Sequence, residues 1–227
     1  MIRKKLLHWV LCLSLMITSF DMTAQKSKSY SYLALGDSYT IGESVAESER
    51  WPVQLAAQLV QLGISVQDPK IIATTGWRTD ELMAAIETDE ELAESYGIVS
   101  LLIGVNNQYQ GRTVESFEPE FEALLKKAIE LAGNNRKKVF VLSIPDYGKT
   151  PFGASKAAQI EKDIDTYNAA SQAICKRYKV KYFNITEISR DAVNDPDLVA
   201  GDKLHPSGKM YSQWVDLILG KVVRIIK

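Results

Sequence analysis

The stretch Leu33-Ala34-Leu35-Gly36-Asp37-Ser38-Tyr39-Thr40 decides how the rest of the chain is read. Mostly apolar residues from Tyr30 to Leu35 predict a short β-strand that runs directly into Gly36. Glycine permits a sharp turn there, because it reaches backbone angles that other residues avoid. A serine on such a turn lies at the carboxyl end of its strand, where open α/β sheets bind ligands. Ser38 is therefore a candidate nucleophile, provided that the chain supplies a base and oxyanion donors.

The same tripeptide also suits an ordinary turn between a strand and a helix. Gly, Asp and Ser are all favoured in turns, and Asp and Ser are favoured at helix N-caps. The motif by itself therefore leaves a structural and a catalytic interpretation open, and the choice depends on the rest of the chain.

Length and charge limit the classes of protein to consider. The chain has 227 residues, of which 46% are hydrophobic and 24% charged, with a formal net charge of −1. This composition and length favour one globular domain with a large core. The near-neutral charge gives no indication of a nucleic-acid partner.

The first residues have the pattern of a secretory signal peptide. Arg3, Lys4 and Lys5 precede a mostly apolar run over residues 6–20, and Ala24 provides a small residue for cleavage. The run is shorter than the ~20 residues that a spanning helix needs. We expect residues 1–24 to be removed, leaving a secreted or periplasmic domain over 25–227 without stable membrane insertion. An uncleaved N-terminal anchor is the alternative.

Cleavage after Ala24 would leave a single cysteine, Cys175, and a single histidine, His205. An intrachain disulfide would then be impossible. A metal site built from several histidines would be impossible too. Any chemistry that uses an imidazole must use His205.

Strands and helices are predicted to alternate along the chain. The predicted strands are Tyr30–Leu35, a segment within 64–74 with its buried part at 71–73, Ile98–Ile103, Lys138–Ile144 and Val180–Ile185. The predicted helices are 51–62, Thr79–Ile86, Val114–Ala132, Ser155–Tyr178 and 207–226, with a loop over Thr186–Pro206. Five alternations of this kind indicate a parallel five-stranded sheet covered by helices on both faces, joined by right-handed crossovers.

Polar residues and glycines follow several of these strands. In a parallel sheet the strand ends share one edge, so Ser38, Gly76 and Asn106 are expected to converge with the loop that carries Asp202 and His205. His205 can act as general base, and a carboxylate three residues earlier can fix its tautomer. The Gly76 and Ser38 N–H groups and the Asn106 amide can donate to an oxyanion. Each of these residues alone also suits an ordinary turn or helix cap.

With these motifs in view, the chain resembles the SGNH/GDSL family of serine esterases and lipases. Four blocks occur in family order: Gly36-Asp37-Ser38-Tyr39-Thr40, Gly76, Gly104-Val105-Asn106 and Asp202-Lys203-Leu204-His205. The resemblance implies a three-layer α/β/α fold without metal or cofactor. It also implies a Ser38, His205 and Asp202 triad, with an oxyanion hole formed by Ser38, Gly76 and Asn106.

Two features differ from related patterns. The third block of the family often continues with aspartate, whereas this chain has Asn107. That change leaves the oxyanion donor at Asn106 in place. It removes any support that the usual carboxylate gives to the site. The Gly-x-Ser-x-Gly elbow of ordinary α/β-hydrolases is absent, because Thr40 stands at its second glycine.

These expectations describe an exported esterase that forms an acyl-Ser38 intermediate on small or water-soluble esters. Short acyl esters, O-acetylated sugars and lysophospholipids all fit the family. Four aromatic side chains are candidates for the pocket wall, with core or rim packing as the alternative for each: Tyr39, Trp77, Tyr109 and Tyr147. A non-catalytic glycan- or lipid-binding module on the same fold is the main alternative. A flavodoxin-like nucleotide binder is less favoured, because the first turn lacks a glycine-rich phosphate loop.

Overall fold

A computed structural model describes residues 29–226, so the predicted signal peptide and its cleavage site lie outside the described residues. Within this range the chain forms one five-stranded sheet. The strands are β1 (Tyr32–Gly36), β2 (Lys70–Ala73), β3 (Ile98–Leu102), β4 (Val139–Leu142) and β5 (Lys181–Phe183). All neighbours are parallel, in the order β2-β1-β3-β4-β5, which confirms the predicted fold class.

Helices cover both faces of the sheet. In the described range they are α1 (Ser38–Ile41), α2 (Trp51–Gln61), α3 (Thr79–Thr88), α4 (Val105–Tyr109), α5 (Val114–Leu131), α6 (Ala157–Tyr178), α7 (Thr186–Arg190) and α8 (Gly208–Ile226). Single 3₁₀ turns occur at Glu47–Glu49, Arg136–Lys138, Tyr147–Lys149, Ala154–Lys156, Asp191–Val193 and Pro196–Leu198. Helix α2 packs against α8, whereas α3, α5 and α6 pack side by side on the other face. The predicted α/β/α layering is therefore present.

The strand order places β1 inside the sheet, between β2 and β3. Leu35 pairs with Ile72 on one side and Leu101 on the other. Every residue of β1 and β3 is buried, which explains the continuous apolar runs that predicted these strands. The turn after β1 thus starts from a rigid point in the molecule.

Short elements account for most differences from the predicted secondary structure. Helices α1 and α4 were not predicted, and the predicted loop over Thr186–Pro206 contains α7 and two 3₁₀ turns. One or two helical turns are too short for a periodic apolar pattern, so the sequence alone gives no signal for them. The proposed N-cap Thr79 is wrong by one position, because Arg78 is the cap and Thr79 is the first residue of α3.

Among residues 29–226, no helix is both long enough and apolar enough to cross a membrane. Helix α6 packs on the sheet and has 22 residues. It is amphipathic, because buried positions such as Ile160, Ile164 and Tyr167 recur at helical spacing.

Candidate active site

The turn that carries Ser38 is tightly packed. A Cβ atom at Gly36 would lie 2.2 Å from Thr40 Oγ1 and 2.5 Å from the Leu102 carbonyl oxygen, so only glycine fits. Asp37 caps α1 by accepting the Tyr39 N–H at 3.1 Å. Ser38 is then the first residue of α1, where a backbone N–H has no acceptor within the helix. The sequence thus folds Ser38 onto a fixed turn at the carboxyl edge of the sheet.

Asp37 itself is an unusual cap, because its side chain is fully buried. Burial raises the pKa of Asp37 from 3.8 to about 7, although the hydrogen bond from the Tyr39 N–H acts in the opposite direction. Within residues 29–226, its Oδ2 atom has no hydrogen-bond partner, and neither does the buried hydroxyl of Thr40 or Tyr211. A titratable group therefore lies directly beneath the candidate nucleophile.

Asp202 and His205 are joined as the sequence predicts. His205 Nδ1 lies 2.6 Å from Asp202 Oδ2. The other carboxylate oxygen accepts the backbone N–H groups of Leu204 and His205, both at 3.0 Å. With Nδ1 donating to the carboxylate, Nε2 is left as the basic nitrogen of the ring.

The charge on Asp202 is stabilised by its surroundings. Partial burial raises the pKa of Asp202, but hydrogen bonds from the His205 ring, from two backbone N–H groups and from Ser44 lower it by more. The net pKa lies well below its usual range, so Asp202 is ionised at neutral pH. An ionised carboxylate at this position holds the imidazole in one tautomer and stabilises an imidazolium.

Ser44, which no sequence motif indicates, donates its hydroxyl to Asp202 Oδ2 at 2.7 Å. The two residues are 158 positions apart, and no local motif links them. Ser44 has a positive φ of 67°, in the loop after α1. That loop thereby connects the Ser38 turn to the Asp202 turn.

Gly76 lies in the loop that follows β2, and Asn106 lies in α4, the short helix that follows β3. Gly76 has φ of +90°, a conformation that strains other residues. The Asn106 side-chain amide donates to the Trp77 carbonyl at 3.0 Å, which fixes its orientation and leaves its second N–H free. Gly104 has φ of +125°, and a Cβ there would lie 2.8 Å from the Phe117 ring. Both candidate donors are therefore held by backbone geometry that glycines make possible.

Asn107, the departure from the family pattern, connects α4 to the first residue of α3. It is buried, with 1% of its surface exposed. Its Oδ1 accepts the Thr79 N–H at 3.2 Å, and its Nδ2 donates to the Thr79 hydroxyl at 2.7 Å. The Thr79 hydroxyl in turn donates to Glu120 on α5. An aspartate at this position could not donate to Thr79, and its charge would face Glu120, so the amide fits this network better than a carboxylate.

Four of the five predicted site residues open into one cavity of about 160 Å³: Ser38, Gly76, Asn106 and His205. The fifth, Asp202, lies behind His205. Three of the four candidate aromatic residues line the cavity, but Trp77 does not, because it packs partly buried against the core. Other lining residues that the sequence did not single out are Thr75, Val105, Phe152 and Leu204.

A family assignment follows from the sequence comparison. Residues 34–213 match the model of the GDSL-like lipase/acylhydrolase family. The chain belongs to this family. It is accordingly a hydrolase of the class that acts on ester bonds, and its small-molecule substrate is an ester.

Solved structures agree with the fold of this GDSL family member. A lipolytic G-D-S-L protein from Veillonella parvula has a TM-score of 0.66 and 19% identity, covering 87% of this chain and 100% of its own. A psychrotrophic esterase from Pseudoalteromonas sp., inhibited by monoethylphosphonate, has a TM-score of 0.60 and 18% identity, covering 86% and 97%. An acetyl-xylooligosaccharide esterase variant from Geobacillus has a TM-score of 0.64 and 18% identity, covering 85% and 94%. No curated protein is similar enough in sequence to count as a match.

Across the described range, no group of three or more His, Cys, Asp or Glu side chains is placed to hold a metal ion. The one cysteine in this range, Cys175, is buried in α6, and burial raises its pKa to about 12.

Proposed function

We propose that this protein is an exported serine esterase that hydrolyses short acyl esters through an acyl-Ser38 intermediate. The observation that carries the proposal is the hydrogen-bonded Asp202–His205 pair, whose ring lines the same small cavity as Ser38, Gly76 and Asn106. This set contains a nucleophile, a base, a group that orients the base and donors for an oxyanion.

Acylation begins when Ser38 Oγ attacks the carbonyl carbon of the ester while His205 Nε2 takes the hydroxyl proton. The carbonyl oxygen becomes an oxyanion, which accepts hydrogen bonds from the Ser38 and Gly76 N–H groups and the Asn106 amide. When the intermediate collapses, the bond to the alcohol oxygen breaks and His205 returns its proton to the leaving alcohol. Ser38 is left as an acyl ester.

Deacylation repeats these steps with water. His205 takes a proton from a water molecule, whose oxygen attacks the acyl carbon, and the second oxyanion uses the same donors. Collapse then breaks the bond to Ser38 Oγ, which recovers its proton from His205, and the carboxylic acid leaves. Ionised Asp202 stabilises the imidazolium in both halves, and each oxyanion donor typically contributes ~10²–10³ in rate.

Cavity size supports a short acyl group. A volume of about 160 Å³ is well below the ~300–1,000 Å³ of pockets for drug-sized ligands. Val105 and Leu204 supply apolar wall next to the polar donors, which suits the methyl end of a small acyl chain. The acetyl ester named for the Geobacillus protein has an acyl group of this size. Long-chain lysophospholipids fit this cavity less well.

Export is proposed from the sequence pattern of residues 1–24. The proposed mature protein is the single domain 25–227, located in the periplasm or outside the cell. N-terminal sequencing of protein recovered from the exported fraction tests this directly. A mature chain that begins at Gln25 supports cleavage, whereas an intact Met1 on the exported protein contradicts it.

The esterase proposal is tested with 4-nitrophenyl esters from acetate to palmitate. We expect turnover of the short esters, and its loss in Ser38→Ala with an unchanged melting temperature. Ser95→Ala is the matched control, because Ser95 is exposed and distant from the described cavity. Labelling by a serine-directed phosphonate should occur in wild type and disappear in Ser38→Ala. A folded wild-type protein that is neither labelled nor active would reject the mechanism and favour a non-catalytic binding module.

A further inference from the structure

Within the described range, the Asp202 carboxylate is held by four hydrogen bonds. Three come from its own turn: the N–H groups of Leu204 and His205 reach Oδ1 at 3.0 Å each, and the His205 ring nitrogen lies 2.6 Å from Oδ2. The fourth comes from the hydroxyl of Ser44, 158 positions earlier, which donates to Oδ2 at 2.7 Å. A carboxylate offers about four lone pairs, so the acceptor sites of Asp202 are filled. Ser44 supplies the donor that comes from another part of the chain.

Ser44 is itself anchored to the residue that carries the proposed nucleophile. Gly42 caps the end of α1, and the N–H groups of Gly42 and Glu43 both donate to the Ser38 carbonyl oxygen, at 3.1 and 3.0 Å. Ser44 follows directly, and the Val45 N–H closes the turn by donating to the Gly42 carbonyl oxygen at 3.3 Å. One short turn and one hydrogen bond therefore connect Ser38 to the carboxylate that orients the base.

The backbone conformation of Ser44 is one that serine rarely adopts. Its φ is +67°, in the left-handed region, where a Cβ atom comes too close to the carbonyl oxygen that follows. Glycine and asparagine are the usual residues at such a position of a turn. Strained residues of this kind persist where the surrounding structure fixes them, and they cluster at functional sites. Serine costs stability here that glycine would not, and what it adds is the hydroxyl group on Asp202.

We propose that Ser44 is a positioning residue of the proposed esterase reaction. Its hydroxyl holds the Asp202 carboxylate, and through it the His205 ring, at a fixed place relative to Ser38. The inference rests on the proposed function and adds a residue that touches neither the substrate nor the reacting atoms. A small displacement of the base slows proton transfer but leaves the contacts that bind the substrate in place. The effect of Ser44 therefore belongs in kcat and not in KM.

The expected loss is moderate, because Ser44 is exposed. When the hydroxyl is removed, a water molecule can donate to Asp202 Oδ2 and stabilise its charge nearly as well. Such a water molecule is not attached to the turn after α1, so it does not hold the carboxylate in place relative to Ser38. Removing the attachment should lower kcat by roughly three- to tenfold, the range for one hydrogen bond.

The test uses two variants that move stability and rate in opposite directions. Ser44→Gly removes the hydroxyl but suits the positive φ, because glycine has no Cβ atom. Ser44→Thr keeps a hydroxyl on the same carbon but places a β-branched side chain in a conformation that disfavours it. Both are compared with wild type for kcat and KM on 4-nitrophenyl acetate and for melting temperature. Ser48→Gly is the matched control, because Ser48 is an exposed serine in the 3₁₀ turn that follows in the same loop.

We expect Ser44→Gly to have the higher melting temperature of the two variants and the lower kcat, with KM unchanged. Ser44→Thr and Ser48→Gly should keep the wild-type kcat. A kcat that falls only in parallel with the melting temperature would overturn the inference, and so would a Ser44→Gly variant as fast as wild type. In either case, turnover that depends on Ser38 would leave the esterase proposal intact. A folded wild type without such turnover would overturn both.

Discussion

Replacing Asp37 by Asn tests how a buried carboxyl group next to the proposed nucleophile, Ser38, affects the stability of the fold. The asparagine side chain has nearly the same shape, and its Oδ1 can still accept the Tyr39 N–H that Asp37 accepts at 3.1 Å. The cap of α1 is therefore retained. What the substitution removes is the titration of a fully buried group.

The expected size follows from the pKa. Burial raises the pKa of Asp37 from 3.8 to about 7. Below pH ~4 the carboxyl is protonated in both the folded and the unfolded state, so its proton does not affect stability. As the pH rises, the unfolded chain loses the proton while the folded protein keeps it. At ~1.36 kcal/mol per pH unit, wild type should lose about 4 kcal/mol relative to Asp37→Asn by pH 7.

The assay is urea unfolding of both proteins at intervals from pH 4 to pH 8. The difference in the free energy of unfolding should change steadily between pH 4 and 7 and be constant above. Asp80→Asn is a control of opposite sign, because a hydrogen bond from Arg78 lowers the pKa of Asp80 and outweighs the effect of burial. Its contribution is lost only as the pH falls below the ordinary value of 3.8, so the Asp80→Asn difference should stay nearly constant over the range where the Asp37→Asn difference changes. A pH-independent difference for Asp37→Asn would refute the reasoning.

Two further substitutions probe the site. Asn107→Asp should destabilise the fold by about 1–3 kcal/mol at pH 7 in thermal unfolding, because it removes a buried donor and brings a charge near Glu120. The control Asn135→Asp should have little effect, because the exposed Asn135 side chain accepts the Lys137 N–H and an aspartate can accept it too. Equal losses of stability in the two variants would contradict the role of Asn107. Asp202→Asn should lower kcat on 4-nitrophenyl acetate by roughly 10²–10⁴ with a smaller change in KM, and a wild-type rate would show that the pair is not used.

The elements that the sequence predicted well are those with a long or strongly patterned apolar signal. The run from Ile98 to Ile103 gave β3 almost to the residue, because a strand buried on both faces is apolar throughout. The final helix was predicted within one residue at its start, and its buried positions recur at helical spacing. Such signals are local, so a single sequence contains them.

Contacts between distant segments are what the sequence could not give. Ser44 donates a hydrogen bond to Asp202, 158 positions away. The role of Asn107 depends on its hydrogen bonds with Thr79 and Glu120, which lie on other helices. The sequence placed Ser38, Gly76, Asn106 and His205 at one edge, because parallel strands end together. It could not show which aromatic rings face the cavity, so pocket lining and core packing stayed open for Trp77, which packs against the core.

The wide separation of Ser38 and His205 along the chain has a consequence for when activity appears. Ribosomes make β1 and its serine early, whereas the turn with Asp202 and His205 comes late and is followed by α8, which docks beside α2. A nascent chain that stops before this turn carries the proposed nucleophile without its proposed base. The proposed ester hydrolysis therefore requires a chain that extends through His205, and chains truncated before it should be inactive.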